Sequence, residues 1–403
     1  MTEVLEINRI EALEPYRAAW QSLLARTAAG SFFQSLEWLE VYWRHFGEGQ
    51  KLRVLVVAPA GRPTGILPLS VVPERTRLGP IRTLTYPLHN WGSFYGPIGP
   101  APQATLAAGL EHVCRTPADW DLLELRWAGE ASSEQGHSAA AMKAAGLQAC
   151  RTVWDRTAVI DLGGSWDDYL AAHSSKWRNN LLRAQRRLAG QGEVRHLRYR
   201  PRGQCHGDGD PRWDLYDACL QLASRSWQGG SQSGTTLTHP GVSAFLRDAH
   251  AAAARCGMLD LHLLWLGDRP LAFAYNYQCG GMVYGLRMGY DADVSREGAG
   301  HVLFLNAIRD SFQRGDRLYD LGVGSLDVKR LFLSRVIPIY RFSHFRPAAP
   351  RTQLLRLKRW LQHCCQRAWG LQNNELGKYE RATKRSAVAL SCVDVQEMRK
   401  NTG

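Results

Sequence analysis

The chain has 403 residues, of which 45% are hydrophobic and 22% are charged, and its formal net charge is +13. This composition belongs to globular proteins with sizeable cores and excludes a chain that is disordered along its whole length. No run approaches the roughly 18 consecutive apolar residues that span a bilayer, and the acidic N-terminus lacks the basic-then-apolar order of a secretory signal. We therefore expect a soluble cytoplasmic protein whose length favours two domains.

The positive charge is concentrated in two segments. From Lys176 to Arg202 there are nine basic residues and one acidic residue, and from Pro350 to the end there are eleven basic and four acidic residues. The remainder of the chain is close to neutral. Basic segments attract phosphate, whether on a cofactor, an anionic lipid surface or a nucleic acid. The positive charge alone does not indicate which of these partners is bound.

The nine cysteines form no Cys-x-x-Cys pair and no repeated ligand spacing. An odd number cannot pair completely within one chain, so reduced thiols with mostly structural roles are expected and no metal site is predicted. Cys364 and Cys365 are adjacent, which is too close for an ordinary disulfide between them. Their segment is predicted to be helical.

The first third of the chain predicts mixed helix and strand. An aromatic-rich helix is indicated by SFFQSLEWLEVYWRHF, which begins at Ser31. The next segment, KLRVLVVAPAGRPTGILPLSVV, predicts a hairpin of two strands around a Gly/Pro turn.

A second strand-rich region begins at Leu259, with the sequence LDLHLLWLGDRPLAFAYNYQCGGMVYGLRMGY. Alternating apolar residues and aromatic content predict three strands, with turns at residues 267–270 and 279–281. This region shares with the first hairpin a turn that ends in Gly-Arg-Pro or Gly-Asp-Arg-Pro. The shared pattern suits an internal duplication, but turns of this composition are common in unrelated hairpins.

A predicted helix and two strands complete the second half. The apolar face of the helix is supplied by Leu303, Phe304, Ile308 and Phe312, and Gly315 is its stop signal. The strands are RLYDLGV and VIPIYRFSHF. A Gly-Gly break near residue 163 marks the predicted domain boundary, and the element order predicts an α+β, or mixed α/β, fold.

Two glycines precede this helix in the segment SREGAGHVL, which follows a predicted strand ending near Tyr290. Glycine at a helix start costs backbone entropy, so Gly298 and Gly300 indicate either a tight strand-to-helix turn or backbone N–H groups that face an anion. A dinucleotide-binding fold is disfavoured, because its glycines belong to a unit of parallel strands. A phosphate-binding loop of the Gly-Lys-Ser/Thr type is absent.

The basic segment from Ser174 predicts an amphipathic helix. Trp177, Leu181, Ala184 and Leu188 fall on one face of SSKWRNNLLRAQRRLAGQG, Ser174 or Ser175 can cap its start, and Gly190 can end it. The basic face is either solvated or forms a rim that attracts phosphate.

Ionisable residues follow a strand in YDLGVGSLDVKRLF. Asp320 lies in the strand, and Asp327 and Lys329 follow Gly322 and Gly324, so the side chains can reach a cleft at the strand end. The alternative for Asp320 is a role as a turn or cap residue.

The tail sequence QLLRLKRWLQHCCQRAW predicts another amphipathic helix. Its apolar stripe contains Leu354, Leu357, Leu361, Cys364 and Ala368, and its basic residues lie off the stripe. Such a helix either docks on the domain or lies at an anionic membrane surface.

Taken together, these motifs resemble in order and spacing the GNAT-type acetyltransferase domain of the CelD/BcsL group, which is related to the Fem aminoacyl transferases. The resemblance covers roughly residues 30–345, including GRPTGILPL upstream. It implies a tandem of two GNAT-like units, each a mostly antiparallel twisted sheet flanked by helices. The expected domains are a structural or substrate-shaping unit at 1–163, an acyltransferase unit at 164–348 and a basic helical tail at 349–403.

The resemblance also implies a donor site. The family loop has the pattern Gln/Arg-x-x-Gly-x-Gly/Ala. In this sequence Ser295, Gly298 and Gly300 occupy its three defined positions, and Arg296 follows Ser295. The residues expected to bind acetyl-CoA or another acyl-CoA are Ser295, Arg296, Gly298, Ala299, Gly300 and His301. The expected catalytic residues are Asp320 as general base, Lys329 as the contact for an anion or carboxylate, and Tyr284. Arg287, Tyr290 and Arg178 are expected to bind substrate.

The function expected from the resemblance is transfer of an acyl group from acyl-CoA to an amine or hydroxyl, in cell-envelope or exopolysaccharide synthesis. The expected acceptor is a small molecule or glycan. Two alternatives remain open. One is Fem-like aminoacyl transfer from tRNA, and the other is a non-catalytic GNAT scaffold. In each case the basic tail could bring the protein to the inner membrane or to a synthase complex.

Overall fold

The computed structural model describes residues 3–129, 137–226, 228–229, 236–293, 298–324 and 326–368. The described residues fall into two compact units. One contains the described residues up to Thr76 together with those of Pro80–His344, and the other contains Arg77–Gly79 and the described residues from Phe345 to Ala368. No described helix is long and apolar enough to cross a membrane.

Strands and helices alternate along the described chain. The strands are β1 (Val4–Ile7), β2 (Lys51–Val57), β3 (Gly65–Thr76), β4 (Gly79–Thr85), β5 (Leu122–Ala128), β6 (Cys150–Asp161), β7 (Val194–Tyr199), β8 (Leu259–Leu266), β9 (Arg269–Cys279), β10 (Met282–Tyr290), β11 (Leu318–Val323) and β12 (Arg335–Phe345). The α-helices are α1 (Arg17–Ala25), α2 (Leu36–Phe46), α3 (Pro102–Arg115), α4 (His137–Ala144), α5 (Trp166–Ala171), α6 (Ser175–Ala189), α7 (Trp213–Arg225), α8 (Pro240–Arg255), α9 (Ala299–Arg314), α10 (Leu326–Lys329) and α11 (Pro350–Ala368).

All of these strands belong to one sheet, in the order β1-β2-β3-β4-β5-β12-β6-β11-β10-β9-β8-β7. The described pairs are antiparallel except β4 with β5 and β10 with β11, which are parallel. This confirms the predicted mixed α/β fold with a mostly antiparallel sheet flanked by helices. The predicted hairpin β2–β3 and the three-stranded region β8–β10 are also confirmed.

The order of elements in the first half is repeated in the second. In each half an edge strand is followed by two helices, three strands, a crossover helix and one more strand. This last strand pairs in parallel with the strand that precedes the crossover helix. The crossover helix is α3 in the first half and α9 in the second. Parallel neighbours need such a crossover because a tight turn cannot join them. The topology is therefore that of two similar units, as expected for a tandem arrangement.

The last strand of each repeat lies beside the other repeat. β12, from the end of the second, is the neighbour of β5, whereas β6, from the end of the first, pairs with β11 and β12. β6 precedes the predicted boundary at residue 163, and its partners follow it. The boundary stays a prediction, and the sheet runs across it without interruption.

Helices from both halves share one hydrophobic core. In α2, the cap at Ser35 accepts a hydrogen bond from the N–H of Trp38, which sets the start of the helix. The ring of Trp38 packs edge-on against Phe245 of α8, with centroids 5.3 Å apart. On the other face of the sheet, α6 buries Trp177 and Leu181 as its periodicity predicts, and Ser174 caps it.

A buried ionic network holds the second repeat together. Asp260 on β8 is completely buried and accepts hydrogen bonds from Arg200 at 2.8 Å and from the amide of Asn276 at 3.0 Å. Arg200 also binds Asp316 through both terminal nitrogens at 2.9 Å. Because the Asp260 carboxylate is paired with Arg200 and His262 in spite of its burial, its pKa is held well below the ordinary value. The network therefore joins β8 and β9 to the segment that follows β7 and the segment that precedes β11.

Candidate functional site

The parallel strands β10 and β11 pair over only three positions and then separate. The described pairing ends with Tyr284 opposite Asp320, and the register of each strand with its other neighbour shifts just beyond this point. Two glycines meet here, since a Cβ on Gly322 would lie 2.6 Å from the carbonyl oxygen of Gly285. The strands can approach this closely only without side chains. Beyond this point β10 continues to Tyr290 with no described pairing to β11, and we call the end of the pairing the cleft.

The Asp320 carboxyl is buried at the mouth of this cleft, with 2% of the residue exposed. Oδ1 accepts hydrogen bonds from the Thr157 hydroxyl of β6 and from the N–H of Gly322 at 3.1 Å. Burial raises the pKa of Asp320 to about 6, although both donors and the nearby Lys329 favour the charged form. A carboxyl with this pKa is ionised at neutral pH and can still accept a proton, as a general base must.

Lys329 lies beside this carboxyl at the end of α10. Its Nζ donates to the carbonyl oxygens of Gly322 at 2.6 Å and Val323 at 2.9 Å. Burial lowers the pKa of Lys329 to about 8, and Asp320 opposes the shift. The predicted catalytic lysine therefore lies near Asp320, where it also holds the end of β11 in place.

Tyr284 connects the second half to the first. Its hydroxyl donates to the carbonyl oxygens of Ala29 at 3.2 Å and Gly30 at 3.1 Å, and burial raises its pKa. Its ring lies 5.9 Å from that of Phe94. The hydroxyl is thus already committed to backbone of the first half, so its present contacts are structural.

Arg287 also reaches the first half. Its guanidinium lies 4.1 Å from the centre of the Trp91 ring, a cation–π contact, and burial lowers its pKa to about 10. The structure thus brings together four of the predicted residues: Asp320, Lys329, Tyr284 and Arg287.

A cavity of about 230 Å³ opens onto Asp320 from the first-half side of the sheet. Its floor comes from β10, β11 and β12, and loops of the first half cover it. The lining residues are Thr27, Ala28, Ala29, Gln34, Phe94, Tyr95, Gly96, Pro97, Pro102, Gly129, Met282, Tyr284, Leu318, Asp320, Arg335 and Ile337. Most of this lining is apolar or aromatic, which is typical of small-molecule sites.

Strained backbone occurs in the loops that cover the cavity. Ala29 has φ of 53° and Phe94 has φ of 51°, values that residues with a Cβ rarely adopt. Trp127, with φ of 62°, accepts a hydrogen bond from the N–H of Tyr95 through its carbonyl oxygen. Such residues persist only where their surroundings enforce them, and they are concentrated at functional sites.

The predicted donor-binding residues lie at the start of α9, except that Ser295 and Arg296 fall outside the described residues. The helix begins at Ala299, with Gly298 as its N-cap at φ of 79°. A Cβ on Gly300 would lie 3.0 Å from Cδ1 of Tyr290. Burial lowers the pKa of His301, which favours a neutral ring. Glycine is thus required at Gly298 by conformation and favoured at Gly300 by the close approach of Tyr290.

The two groups of predicted residues lie at opposite ends of β10. Tyr290, beside Gly300, lies six positions after Tyr284, beside Asp320, which corresponds to about 20 Å along a strand. A single small ligand cannot contact both groups. A ligand that contacts both must be long.

Arg178 contacts neither the predicted residues near Asp320 nor those at the start of α9 in the contacts described. It donates to the carbonyl oxygens of Leu170 and His173, both at 2.9 Å, and so closes the C-terminal end of α5. Its predicted substrate contact stays a prediction.

Sequence reasoning missed the first-half contributions to the site. Thr157 lies in a strand assigned to the other domain, and Ala29 and Phe94 carry no motif. Only the strand exchange brings β6 beside β11, and the sequence contains no signal for that exchange. The described residues contain no group of three side chains that could hold a metal ion.

Comparisons with known proteins assign a domain family to part of the chain. Residues 175–330 match the model of the acetyltransferase (GNAT) domain, so this part of the chain is a GNAT acetyltransferase domain and the protein is a transferase. No curated protein matches the chain.

Solved structures share the fold at low sequence identity. FemX is 12% identical with a TM-score of 0.59, over 87% of this chain and 99% of that chain. The C-terminal domain of a protein named as a lysylphosphatidylglycerol synthetase, from Agrobacterium fabrum, is 14% identical with a TM-score of 0.51, over 85% and 95%. A tandem GNAT protein from the clavulanic acid biosynthesis pathway is 13% identical with a TM-score of 0.43, over 86% and 100%. The first two similarities concern the fold alone, and the third supports no inference.

Replacing Asp320 with asparagine should stabilise the protein at neutral pH. The pKa of about 6 in the folded state exceeds that of an unfolded aspartate. The stability that protonation provides is therefore complete below about pH 4 and is lost as the pH rises through about 6. We expect Asp320→Asn to raise the free energy of unfolding at pH 7.5 by about 1–3 kcal/mol, with little difference near pH 4.

Urea denaturation at both pH values measures this difference. Asp155→Asn, which removes an exposed carboxylate from β6, is the control and should show no such pH-dependent gain. Equal stability of Asp320→Asn and the wild type at pH 7.5 would contradict the raised pKa.

Proposed function

We propose that the protein transfers an acyl group from acyl-CoA to an amine or hydroxyl acceptor held in the cavity at Asp320. The observation that carries this proposal is the position of a buried carboxyl, with a pKa near 6, where two parallel strands of a GNAT domain separate. The cavity gives the acceptor access from the first-half side. The cleft gives the donor access from the α9 side.

The donor would bind along β10 from the start of α9. The first N–H groups of a helix have no partner within it and carry partial positive charge, so the amides of Ala299 and Gly300 suit a pyrophosphate. The N–H of His301 donates to the carbonyl oxygen of Gly298 at 3.0 Å. Acyl-CoA carries its pyrophosphate far from its thioester. This separation fits the distance of about 20 Å along β10 between Tyr290, beside Gly300, and Tyr284, beside Asp320.

The reaction would proceed by direct transfer. The acceptor nitrogen or oxygen attacks the thioester carbonyl, and its proton passes to the Asp320 carboxylate. Backbone N–H groups near the point where β10 and β11 separate would stabilise the oxyanion. The carbon–sulfur bond then breaks, the thiolate leaves and takes up a proton, and the acylated acceptor and free CoA are formed. Lys329 would keep the end of β11, and with it Asp320, in position.

Aminoacyl transfer from tRNA is the second candidate. It is supported by the exposed basic residues of α6, which are Lys176, Arg183, Arg186 and Arg187. A phosphate backbone bound by these residues would give an affinity that falls steeply with salt. The CelD/BcsL subgroup and a role in envelope or exopolysaccharide synthesis rest on the sequence resemblance.

We also propose that α11 contacts an anionic membrane surface. Four of its apolar residues are exposed, namely Leu354, Leu357, Trp360 and Leu361. The helix carries five basic residues and no acidic residue over Pro350–Ala368. Exposed apolar residues combined with positive charge suit the interface of an anionic bilayer.

Vesicle sedimentation tests the membrane proposal. The protein should bind vesicles that contain phosphatidylserine, with a contribution of about 1 kcal/mol per basic residue near the surface. Binding should weaken in high salt and after Trp360→Ser, and neutral phosphatidylcholine vesicles are the control. Absence of binding to the anionic vesicles in low salt would contradict the proposal.

The donor site is tested by substitutions at the start of α9. Gly298→Ala forces a left-handed backbone on a residue with a Cβ, 3.1 Å from the Cβ of Ala184, and Gly300→Val pushes against Tyr290. Each should weaken acetyl-CoA binding by about tenfold or more, because N–H contacts with a charged phosphate are lost. Isothermal titration calorimetry on the folded variants measures this loss.

Gly315→Ala is the matched control. Gly315 ends the same helix with φ of 71°, and nothing lies within 4 Å of the added Cβ. It should cost similar stability and leave donor binding unchanged. If the wild type binds no acyl-CoA but binds aminoacyl-tRNA in low salt, the second candidate replaces the first.

The pH dependence of transfer tests the catalytic groups. We expect kcat/KM to rise through pH about 6 as Asp320 ionises, and to fall above pH about 8 as Lys329 loses its charge. Asp320→Asn should remove the acid limb and lower kcat/KM by about 10²–10⁴-fold. A wild-type profile that is flat between pH 5 and 7 would contradict the assignment of Asp320 as base.

A further inference from the structure

The polar side chains of the cavity wall are mostly committed to the protein itself. The Thr27 hydroxyl donates to the carbonyl oxygen of Leu23 at 2.9 Å and accepts from the N–H of Gly99 at 2.8 Å. The Gln34 amide donates to the carbonyl oxygen of Gly96 at 3.1 Å. These groups hold the covering loops in place and have little remaining capacity for a ligand.

The charged groups that line the cavity differ in their burial. Asp320 lies at the buried floor, whereas Arg335 is about half exposed and binds Asp161 at 3.1 Å. Lys329 is not part of the lining, and its Nζ is directed at two backbone carbonyl oxygens. The cavity therefore offers a ligand one buried negative charge, and its positive charge is at the rim.

The remaining side chains of the cavity wall are mostly hydrocarbon and aromatic, and among them the buried hydroxyl of Tyr95 has no hydrogen-bond partner in the described part of the chain. Phe94 and Tyr284 place their rings 5.9 Å apart on one side. Met282, Leu318 and Ile337 come from three strands of the floor. Apolar walls of this kind hold an apolar body, and aromatic faces attract a cation.

We infer that the acceptor is a small primary amine on an apolar or aromatic body, with its ammonium bound by the Asp320 carboxylate. This inference rests on the proposed function and specifies its substrate class. An ammonium satisfies the buried charge in a way that a neutral hydroxyl does not. A sugar would bring several hydroxyl groups to walls that offer them few partners, and each unpaired group costs free energy.

The size of the cavity gives a second restriction. A volume of about 230 Å³ equals roughly eight water molecules at about 30 Å³ each. It is smaller than the about 300–1,000 Å³ of common ligand pockets. A benzylamine-sized molecule fits this volume.

The chemistry of the transfer follows from this assignment. The ammonium gives one proton to the Asp320 carboxylate, which frees the nitrogen lone pair. The nitrogen forms a bond to the thioester carbon as the carbon–sulfur bond breaks, and it loses a second proton. The thiolate leaves and takes up one proton, so the products are an amide, free CoA and one proton released to solvent.

Three probe molecules test the charge and the apolar body of the acceptor separately. Their binding is measured by isothermal titration calorimetry at pH 7.5 in the absence of an acyl donor. Benzylamine carries the charge and the aromatic body, benzyl alcohol lacks the charge, and glucosamine has an amine on a polyhydroxylated body. We expect benzylamine to bind about 10- to 100-fold more tightly than benzyl alcohol, as for a hydrogen bond to a buried charge. Glucosamine should bind more weakly than benzylamine.

Asp320→Asn should remove the preference for benzylamine over benzyl alcohol, whereas Asp155→Asn should retain it. Equal binding of benzylamine and benzyl alcohol, tighter binding of glucosamine, or no binding of benzylamine to the wild type would overturn the inference.

A separate titration with acetyl-CoA distinguishes this inference from the proposed acyl transfer. If benzylamine binds at Asp320 but no acyl donor binds, the amine site stands and the proposed acyl transfer fails. If the donor binds but benzylamine does not, the proposed transfer stands and the amine assignment fails.

Discussion

The burial of the Asp320 carboxyl at the end of the β10–β11 pairing is the constraint on which the rest of the site depends. Removal from water disfavours its charged form, and the pKa rises to about 6 in spite of the hydrogen bonds from Thr157 and Gly322. The position is costly for stability, because an ionised group must be kept in a largely apolar cavity. Catalytic sites commonly carry such costs, and the strained Ala29 and Phe94 in the loops above belong to the same pattern.

The exchange of final strands between the two repeats creates this environment. Because β6 lies between β11 and β12, the first half supplies the Thr157 hydroxyl to a carboxyl of the second. The loops of the first half also cover the cavity, and Tyr284 donates to two of their carbonyl oxygens. The first repeat therefore shapes the site although its own crossover helix, α3, has proline where α9 has its glycines. The two repeats have a common topology and different chemical roles.

Local structure was largely predictable from the sequence, and long-range arrangement was not. The helix at Ser174, the hairpin β2–β3 and the strands β8–β10 followed from periodicity, capping residues and turn residues, all of which act within a few positions. The repeat itself was only suggested, since the two halves share topology and little sequence. Asp320 and Lys329 were predicted as neighbours because they are close along the chain. Thr157, Ala29 and Phe94 were missed, because their places depend on strand order across more than 150 residues of sequence.

The central claim is that a donor bound at the start of α9 presents its thioester to Asp320 through the cleft between β10 and β11. A crystal structure with a non-reactive acyl-CoA thioether analogue tests this most directly. The account predicts the pyrophosphate against the amides of Ala299 and Gly300, and the acyl carbonyl where β10 and β11 separate, beside the cavity. An ordered analogue that lies elsewhere, or that extends away from Asp320, would contradict it.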